Sequence, residues 1–307
     1  MKDSINISVI GWWSWTFNVL YWLKKVELDK EKNLAAIIAM TDSGGTTWYI
    51  RDKYWVLPPW DIRRWIAALA ENTWFVRKLF EYKFDWEEWV IWWNKIGNIL
   101  LTALNDITWS FEAGLDEACK MFRVKGKVIP VTLEDVHLWV RFEDGTEVIW
   151  EKNIDVSSKN SEEKTHNVDQ NIVDAFLVWG EWKINPKAYD TLVSSDIIII
   201  WPGDFYTSIV PNLLSPGMKE ALAKTDATII YVCNIMADLW ETTHYELPDF
   251  IKNIEKYAWE VIDYVFVNNW HISDDLVAKY KLEWKKPVKL KAEHDFSWKK
   301  YKIVERD

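Results

Sequence analysis

The sequence predicts an α/β fold: a doubly wound, mostly parallel sheet with helices on both faces, carrying a helical insertion and a β-hairpin. Three observations lead there. Short apolar runs bounded by turn residues recur at 5–10, at 34–41 and in the segments SDIIIIWPGD, ATIIYVCNI and VIDYVFVNN, as strands buried on both faces do. Segments with apolar residues at helical spacing lie between them, and alternation of the two is the mark of βαβ units. The chain has 307 residues, 49% of them hydrophobic, which suffices for one large core and excludes a disordered or fibrous chain.

Taken in order, residues 5–10 and 34–41 are the first two strands, and TFNVLYWLKKVE between them places Phe17, Leu20 and Leu23 on one helical face before a Lys-rich end. Residues 60–123 keep a helical pattern almost throughout and read as an insertion flanking the sheet. From residue 127 the period changes to alternation. Asp144-Gly145 between two strand-like runs signals a hairpin over 127–152. Residues 155–172 are polar and read as an exposed loop, with His166 solvated. The three later strands are separated by helical stretches at 206–224 and 246–259, so residues 1–307 form one α/β domain.

Composition removes several function classes. A net charge of −10 without a basic tract disfavours nucleic-acid binding. Cys119 and Cys233 lie far apart with no CxxC motif, which indicates buried thiols rather than a disulfide or zinc site. The N-terminus lacks the order of a secretory signal and no apolar run is long enough for a membrane span, so a cytoplasmic location is expected. No Ser-His-Asp ordering or His pair marks a hydrolase or zinc enzyme.

Tryptophan is abnormal. There are 24 Trp and 10 Gly, where ordinary usage gives roughly 21 Gly. Trp60 follows Pro58-Pro59, Trp270 follows Asn268-Asn269, and Trp201, Trp284 and Trp298 stand where the chain reverses. These are glycine sites by chemistry, and a side chain held there at positive φ costs roughly 1–2 kcal/mol. Trp65, Trp89 and Trp139 instead sit inside apolar patterns, as core aromatics do.

The candidate site is built around SVIGWWSWTFNVL, a strand, a tight turn and a helix start. With small residues, such a turn lets the backbone approach a diphosphate while the helix N-terminus presents free N–H groups. Gly11, Trp12, Trp13, Ser14 and Trp15 occupy it, and the three indoles fall in the volume a diphosphate needs. Asp42, Ser43, Gly44 and Gly45 close the second strand at the same sheet edge, where Asp42 could hold a ribose hydroxyl or a Mg²⁺ ion. Arg51 and Arg63 are bidentate phosphate donors, and Asp61 can orient one of them. Pro202, Gly203 and Asp204 end another strand, and Thr207 and Ser208 open the helix after it. Asn94, Asn98 and Asn234 offer hydrogen bonds to a base or sugar. His244 and His271 lie near strand ends and could face the cleft. Simpler roles remain open: an Asx-turn at Asp42, surface ion pairs for Arg51 with Asp52 and for Asp61 with Arg63, a hairpin-edge pair at Glu134-Asp135, and structural roles for the two histidines.

With tryptophans read as glycine slots, six ordered blocks resemble the gluconeogenesis-factor family, relatives of 2-phospho-lactate transferase. They are IGWWSWTFNVLYWLKK, TDSGGTTWYIRDKYWVLPPWDIRRWIAAL, NKIGNILLTAL, VIPVTLEDV, WPGDFYTSIVPNLL, and YVCNIM followed by ETTHY. The resemblance implies a Rossmann-like, cytoplasmic regulatory protein that binds a nucleotide, either a UDP-sugar or an NAD-like one, and serves gluconeogenic growth, cell-wall synthesis and cell shape. It leaves as the alternative a Mg²⁺-dependent transferase that moves a phospholactyl group from a nucleoside diphosphate ester to an acceptor hydroxyl. A homo-oligomer is compatible with both, and the resemblance assigns no catalytic residue.

Overall fold

A computed structural model of the chain describes residues 4–11, 13–41, 57, 60–83, 95–154, 166–179, 182–288 and 300–306, with the backbone alone at 13–15, 60, 61 and 306. The first unit is β1 (Ser4–Gly11), α1 (Trp13–Lys25) and β2 (Glu31–Ile38); the helical insertion is α2 (Trp60–Leu69), α3 (Thr73–Glu81), α4 (Ile96–Thr108) and α5 (Phe111–Met121). Next come β3 (Lys127–Pro130), β4 (His137–Phe142), β5 (Glu147–Ile149), a short α6 (Glu151–Ile154) and β6 (Ile172–Val178). The second half opens with α7 (Pro186–Val193) and β7 (Ile197–Ile200), then a π-helical turn (Phe205–Ile209) running into α8 (Val210–Leu214), and α9 (Met218–Lys224). It continues with β8 (Thr228–Val232), β9 (Met236–Asp238), α10 (Leu247–Ala258), β10 (Tyr264–Asn268), α11 (Asp274–Leu282), β11 (Lys285–Pro287) and β12 (Lys302–Arg306).

The central sheet has seven strands in the order β12-β10-β8-β7-β1-β2-β3, and every pairing within it is parallel. From β1 the chain winds outward through β2 and β3. It then returns to β7, on the other side of β1, and winds outward the opposite way. The reversal lies between β1 and β7, so the expected doubly wound fold is present with its topological switch point there. The C-terminal ends of these parallel strands, at Gly11, Ile38, Ile200, Val232 and Asn268, all face one edge.

Both faces of the sheet are buried, which is why its strands read as continuous apolar runs. Val9, Ala36 and Ile38 pack under α1, α2 and the insertion, while Ile10, Ile37 and Ile198 pack against α8, α10 and the smaller sheet. Burying one such side chain is worth roughly 1.5–3 kcal/mol. Lys24 ties α1 to the insertion. Its ammonium donates to the Ala68 and Ala70 carbonyls and to Thr73 Oγ1, each at 2.7 Å, and burial, reinforced by Lys125, lowers its pKa to about 8.

Four expectations need revision. Lys127–Pro130 joins the central sheet beside β2; the hairpin is β4 with β5, completed by β6 into an antiparallel sheet of three strands. His166 is not solvated. It is 8% exposed, stacks on Phe142 at 4.2 Å, and its Nε2 lies 3.2 Å from the Trp240 carbonyl. The turn tryptophans are partly others than those expected. Positive φ occurs at Trp109, Trp150, Trp179, Trp259 and Trp284, whereas Trp60 begins α2, and Trp201 after β7 and Trp270 after β10 have ordinary φ. Trp298 lies outside the described residues. Of the expected core aromatics, Trp65 is fully buried, while Trp139 lies on the outer face of the small sheet beside Phe176 at 5.2 Å; Trp89 lies outside the described residues. Among the described residues, no helix is long and apolar enough to cross a membrane.

Candidate functional site

The site grows out of the switch point. β1 ends at Gly11, where an added Cβ would stand 2.8 Å from Thr16 Oγ1 and 3.5 Å from the Trp201 Cβ; only glycine lets β1, the start of α1 and the end of β7 approach this closely. Asn212, on α8, reaches across to the same point, its Nδ2 donating to the Gly11 carbonyl at 3.5 Å and to the Ser208 carbonyl at 3.0 Å. Its Oδ1 is buried without a partner. Trp13, Ser14 and Trp15 form the first turn of α1, and Asp61 lies in the first turn of α2. Trp12, Asp42, Ser43, Gly44, Gly45, Arg51 and Asn94 lie outside the described residues.

The remaining predicted residues fall into two groups. On the insertion side, Arg63 is buried on α2, with Nη1 donating to the Phe80 carbonyl at 3.4 Å. Its Cδ lies 3.1 Å from where a Cβ on Gly97 would stand, so Arg63 and the start of α4 with Asn98 are neighbours. Asn98 is fully buried and neither atom of its amide has a partner. A small cavity of about 130 Å³ beside them is lined by Asn18, Arg63, Arg64 and Arg77. At the N-terminus of α4, burial and then Arg63 push the Lys95 ammonium down to about 8.

On the other side, Pro202, Gly203, Asp204 and Asn234 share one cleft of about 420 Å³ beyond the ends of β7, β8 and β10. Asn234 Nδ2 donates to the Gly203 carbonyl at 2.6 Å, which leaves Oδ1 as an acceptor with no partner. Thr207 and Ser208 are buried in the π-helical turn, a geometry that recurs at functional sites. Its leading groups are already engaged. Glu241 accepts from the Tyr206 N–H and from Thr207 Oγ1, both at 2.7 Å, and the Ser208 N–H donates to the Asp204 carbonyl at 2.8 Å.

Sequence reasoning missed the floor of this cleft. Lys285, on β11, reaches into it, pairing with Asp238 on β9 and lying 3.4 Å from Asp204. Burial and then Asp204 raise the Asp238 carboxyl well above its ordinary range, against the pull of Lys285; burial does the same to Glu241. For Lys285 burial works downward, yet the two aspartates outweigh it and raise its pKa. Trp270, Leu276 and Tyr280 wall the cleft, and His271 stands on its rim. His244 is elsewhere, its Nε2 lying 3.0 Å from the Asp169 carbonyl. The Asn-Asn-Trp-His run at the end of a strand was the signal that could have drawn attention to this wall.

Among the described residues, no three His, Cys, Asp or Glu side chains are grouped to hold a metal ion. Cys119 and Cys233 are free thiols, each pushed up to about 12 chiefly by burial.

Comparison with known proteins agrees with this architecture. A putative gluconeogenesis factor of Thermotoga maritima is 35% identical over 261 residues, covering 85% of this chain and 79% of that protein. The gluconeogenesis factor of Bacillus subtilis is 33% identical over 260 residues, covering 84% and 78%. A crystal structure of a Bacillus halodurans protein superposes with a TM-score of 0.88 at 29% identity, covering 98% of this chain and 92% of that one. Residues 16–307 match the profile of 2-phospho-L-lactate transferase CofD, and the chain belongs to that family, with gluconeogenesis factors among its relatives.

Proposed function

We propose that this chain is a nucleotide-binding regulatory protein of carbon metabolism and cell-wall morphogenesis, cytoplasmic, whose ligand is a nucleoside diphosphate of the UDP-sugar kind. The observation that carries the reading is the switch point. Gly11, the first turn of α1 and the Trp201–Asp204 segment meet at one sheet edge, where open α/β sheets bind ligands and where a helix N-terminus stabilises phosphate. The unpartnered polar atoms of Asn98, Asn212 and Asn234 support it, because a buried polar group without a protein partner is commonly met by ligand or water. Relatives named gluconeogenesis factor support the physiological assignment.

A second reading has its own observation. The cleft beside the switch point has the size and aromatic wall that an acceptor would need, which favours a transferase moving a phosphoryl-linked group to an acceptor hydroxyl. In that case arginines such as Arg63 would stabilise charge on the phosphate, and Asp42 would help to hold Mg²⁺. Isothermal titration against UDP-N-acetylglucosamine, GDP and NAD tests the first reading. With glycine placed at positions 12, 13 and 15 to clear the turn, saturable binding of the uridine nucleotide is expected, and no heat with any of the three would overturn it. Product formation with a nucleoside diphosphate ester and an acceptor alcohol would favour the second.

A further inference from the structure

We infer that the outer edge of β3 is a docking groove, in which an extended basic segment of a partner protein adds as a further strand of the central sheet. The groove lies at the border of the sheet, two strands from β1, and owes nothing to the nucleotide.

β2 pairs with β3 on one side, and no strand of the sheet lies on the other. The Val131 N–H donates to the Ile38 carbonyl at 2.7 Å, so by alternation Lys127 and Ile129 also turn their backbone groups to β2, while those of Val128 and Pro130 point outward. Pro130 therefore stands where an edge strand admits proline. Among the described residues, no hydrogen bond engages the outward N–H and C=O of Val128. Val128 is only 5% exposed, and backbone groups left unpaired at a buried residue are rare. They open on a cavity of about 460 Å³ lined by β3 from end to end, a four-residue strand roughly 13 Å long. Two helices wall it, one from each face of the sheet: α5 packs with Val128 in one core and α7 with Ile129 in the other. A sheet edge held open between helix walls is the geometry of strand addition, where main-chain bonds give affinity and alternate side chains give specificity. Charge chooses the occupant. On the walls, Lys187 is spent on Glu112 at 3.2 Å and Asp116 at 2.9 Å, while Asp190 on α7 has no counter-ion among the described residues. Three carboxylates thus face two ammoniums, Lys127 and Lys187, in a chain of net charge −10, which draws basic segments and repels acidic ones. Cys119 on the α5 wall is a neutral thiol that suits an apolar side chain, so the matching segment alternates basic and apolar residues.

The probe is a dye-tagged octapeptide of alternating Lys and Val, with a Glu-Val octapeptide as its acidic counterpart. Fluorescence anisotropy with the full chain should show saturable binding of the first and none of the second. Val128→Pro removes the outward N–H at a position where an edge strand tolerates proline, and should weaken binding about tenfold. Asp190→Lys should weaken it several-fold, and Lys187→Gln, which releases Glu112 and Asp116, should strengthen it. Cys119 reports occupancy directly: saturating peptide should slow its alkylation by iodoacetamide, while the rate at the buried Cys233 stays the same. Circular dichroism checks the fold of Val128→Pro; should that variant fail to fold, Asp190→Lys and the Cys119 rate decide. Absence of saturable binding, equal binding of the acidic peptide, affinity unchanged by the substitutions, or unslowed alkylation of Cys119 would overturn the assignment. A dimer of the free chain in analytical ultracentrifugation that Val128→Pro dissolves would overturn it as well, because the occupant would then be a second copy.

Discussion

Replacing Trp109 with glycine should stabilise the protein, although it removes the largest side chain. Trp109 caps the C-terminus of α4 at φ 55° and ψ 20° and is 94% exposed, so almost no packing is lost. Holding a non-glycine residue in the left-handed region costs roughly 1–2 kcal/mol, while glycine returns roughly 0.4–1 kcal/mol to the unfolded chain; the balance is a gain of roughly 0.5–1 kcal/mol. The control is the same substitution at Trp22, which is 63% exposed within α1. There, glycine's poor helix propensity and the lost partial burial destabilise by about 1 kcal/mol. Urea unfolding or calorimetry should show the midpoint rising for Trp109→Gly and falling for Trp22→Gly, by about 2 °C each in a thermal scan. Shifts of the same sign would refute the claim that backbone conformation, rather than indole chemistry, sets the cost.

The floor of the cleft makes further predictions. Lys285→Met leaves the buried Asp238 and the half-buried Asp204 without the ammonium they share and should cost about 3–5 kcal/mol; adding Asp238→Asn should restore much of it, measured by denaturant unfolding of the single and double variants. Asp238 and Glu241 titrate above their ordinary values of 3.8 and 4.5 in the folded state. Their contribution is therefore fully present below about pH 4 and is lost as pH rises through the folded values. Glu241→Gln should flatten that decline in a stability-versus-pH series, and an unchanged slope would contradict it. The combined Trp12→Gly, Trp13→Gly and Trp15→Gly variant should bind pyrophosphate more tightly than the parent by isothermal titration; equal affinity would count against steric exclusion by the indoles.

Much of the fold was legible because burial on both sheet faces writes itself as unbroken apolar runs: Ile197–Ile200 and Thr228–Val232 could hardly be anything else. The failures have physical reasons. β3 has only four residues, and its run continues into the truly alternating β4, so its parallel pairing with β2 left no separate signature. β11 is Lys-Lys-Pro at half-buried positions and β12 is an edge strand, neither of which produces a hydrophobic period. Gly203, Asp204 and Asn234 could be picked out because strand ends in such sheets carry function. Lys285 could not, since its partner Asp238 is 47 positions away and only the β9–β11 pairing brings them together. Among tryptophans, Trp284 was singled out although its neighbours are only Glu283 and Lys285, while Trp109, Trp150 and Trp259 sit in Thr-Trp-Ser, Ile-Trp-Glu and Ala-Trp-Glu contexts that announce no turn.

The most direct test of a diphosphate at the switch point is amide hydrogen exchange of the combined Trp12→Gly, Trp13→Gly and Trp15→Gly variant with and without saturating UDP-N-acetylglucosamine. Exchange should slow at Gly11–Thr16 and across Trp201–Ser208 while β4 to β6 stay unchanged. Protection confined to those three strands, or none at either segment, would contradict the account.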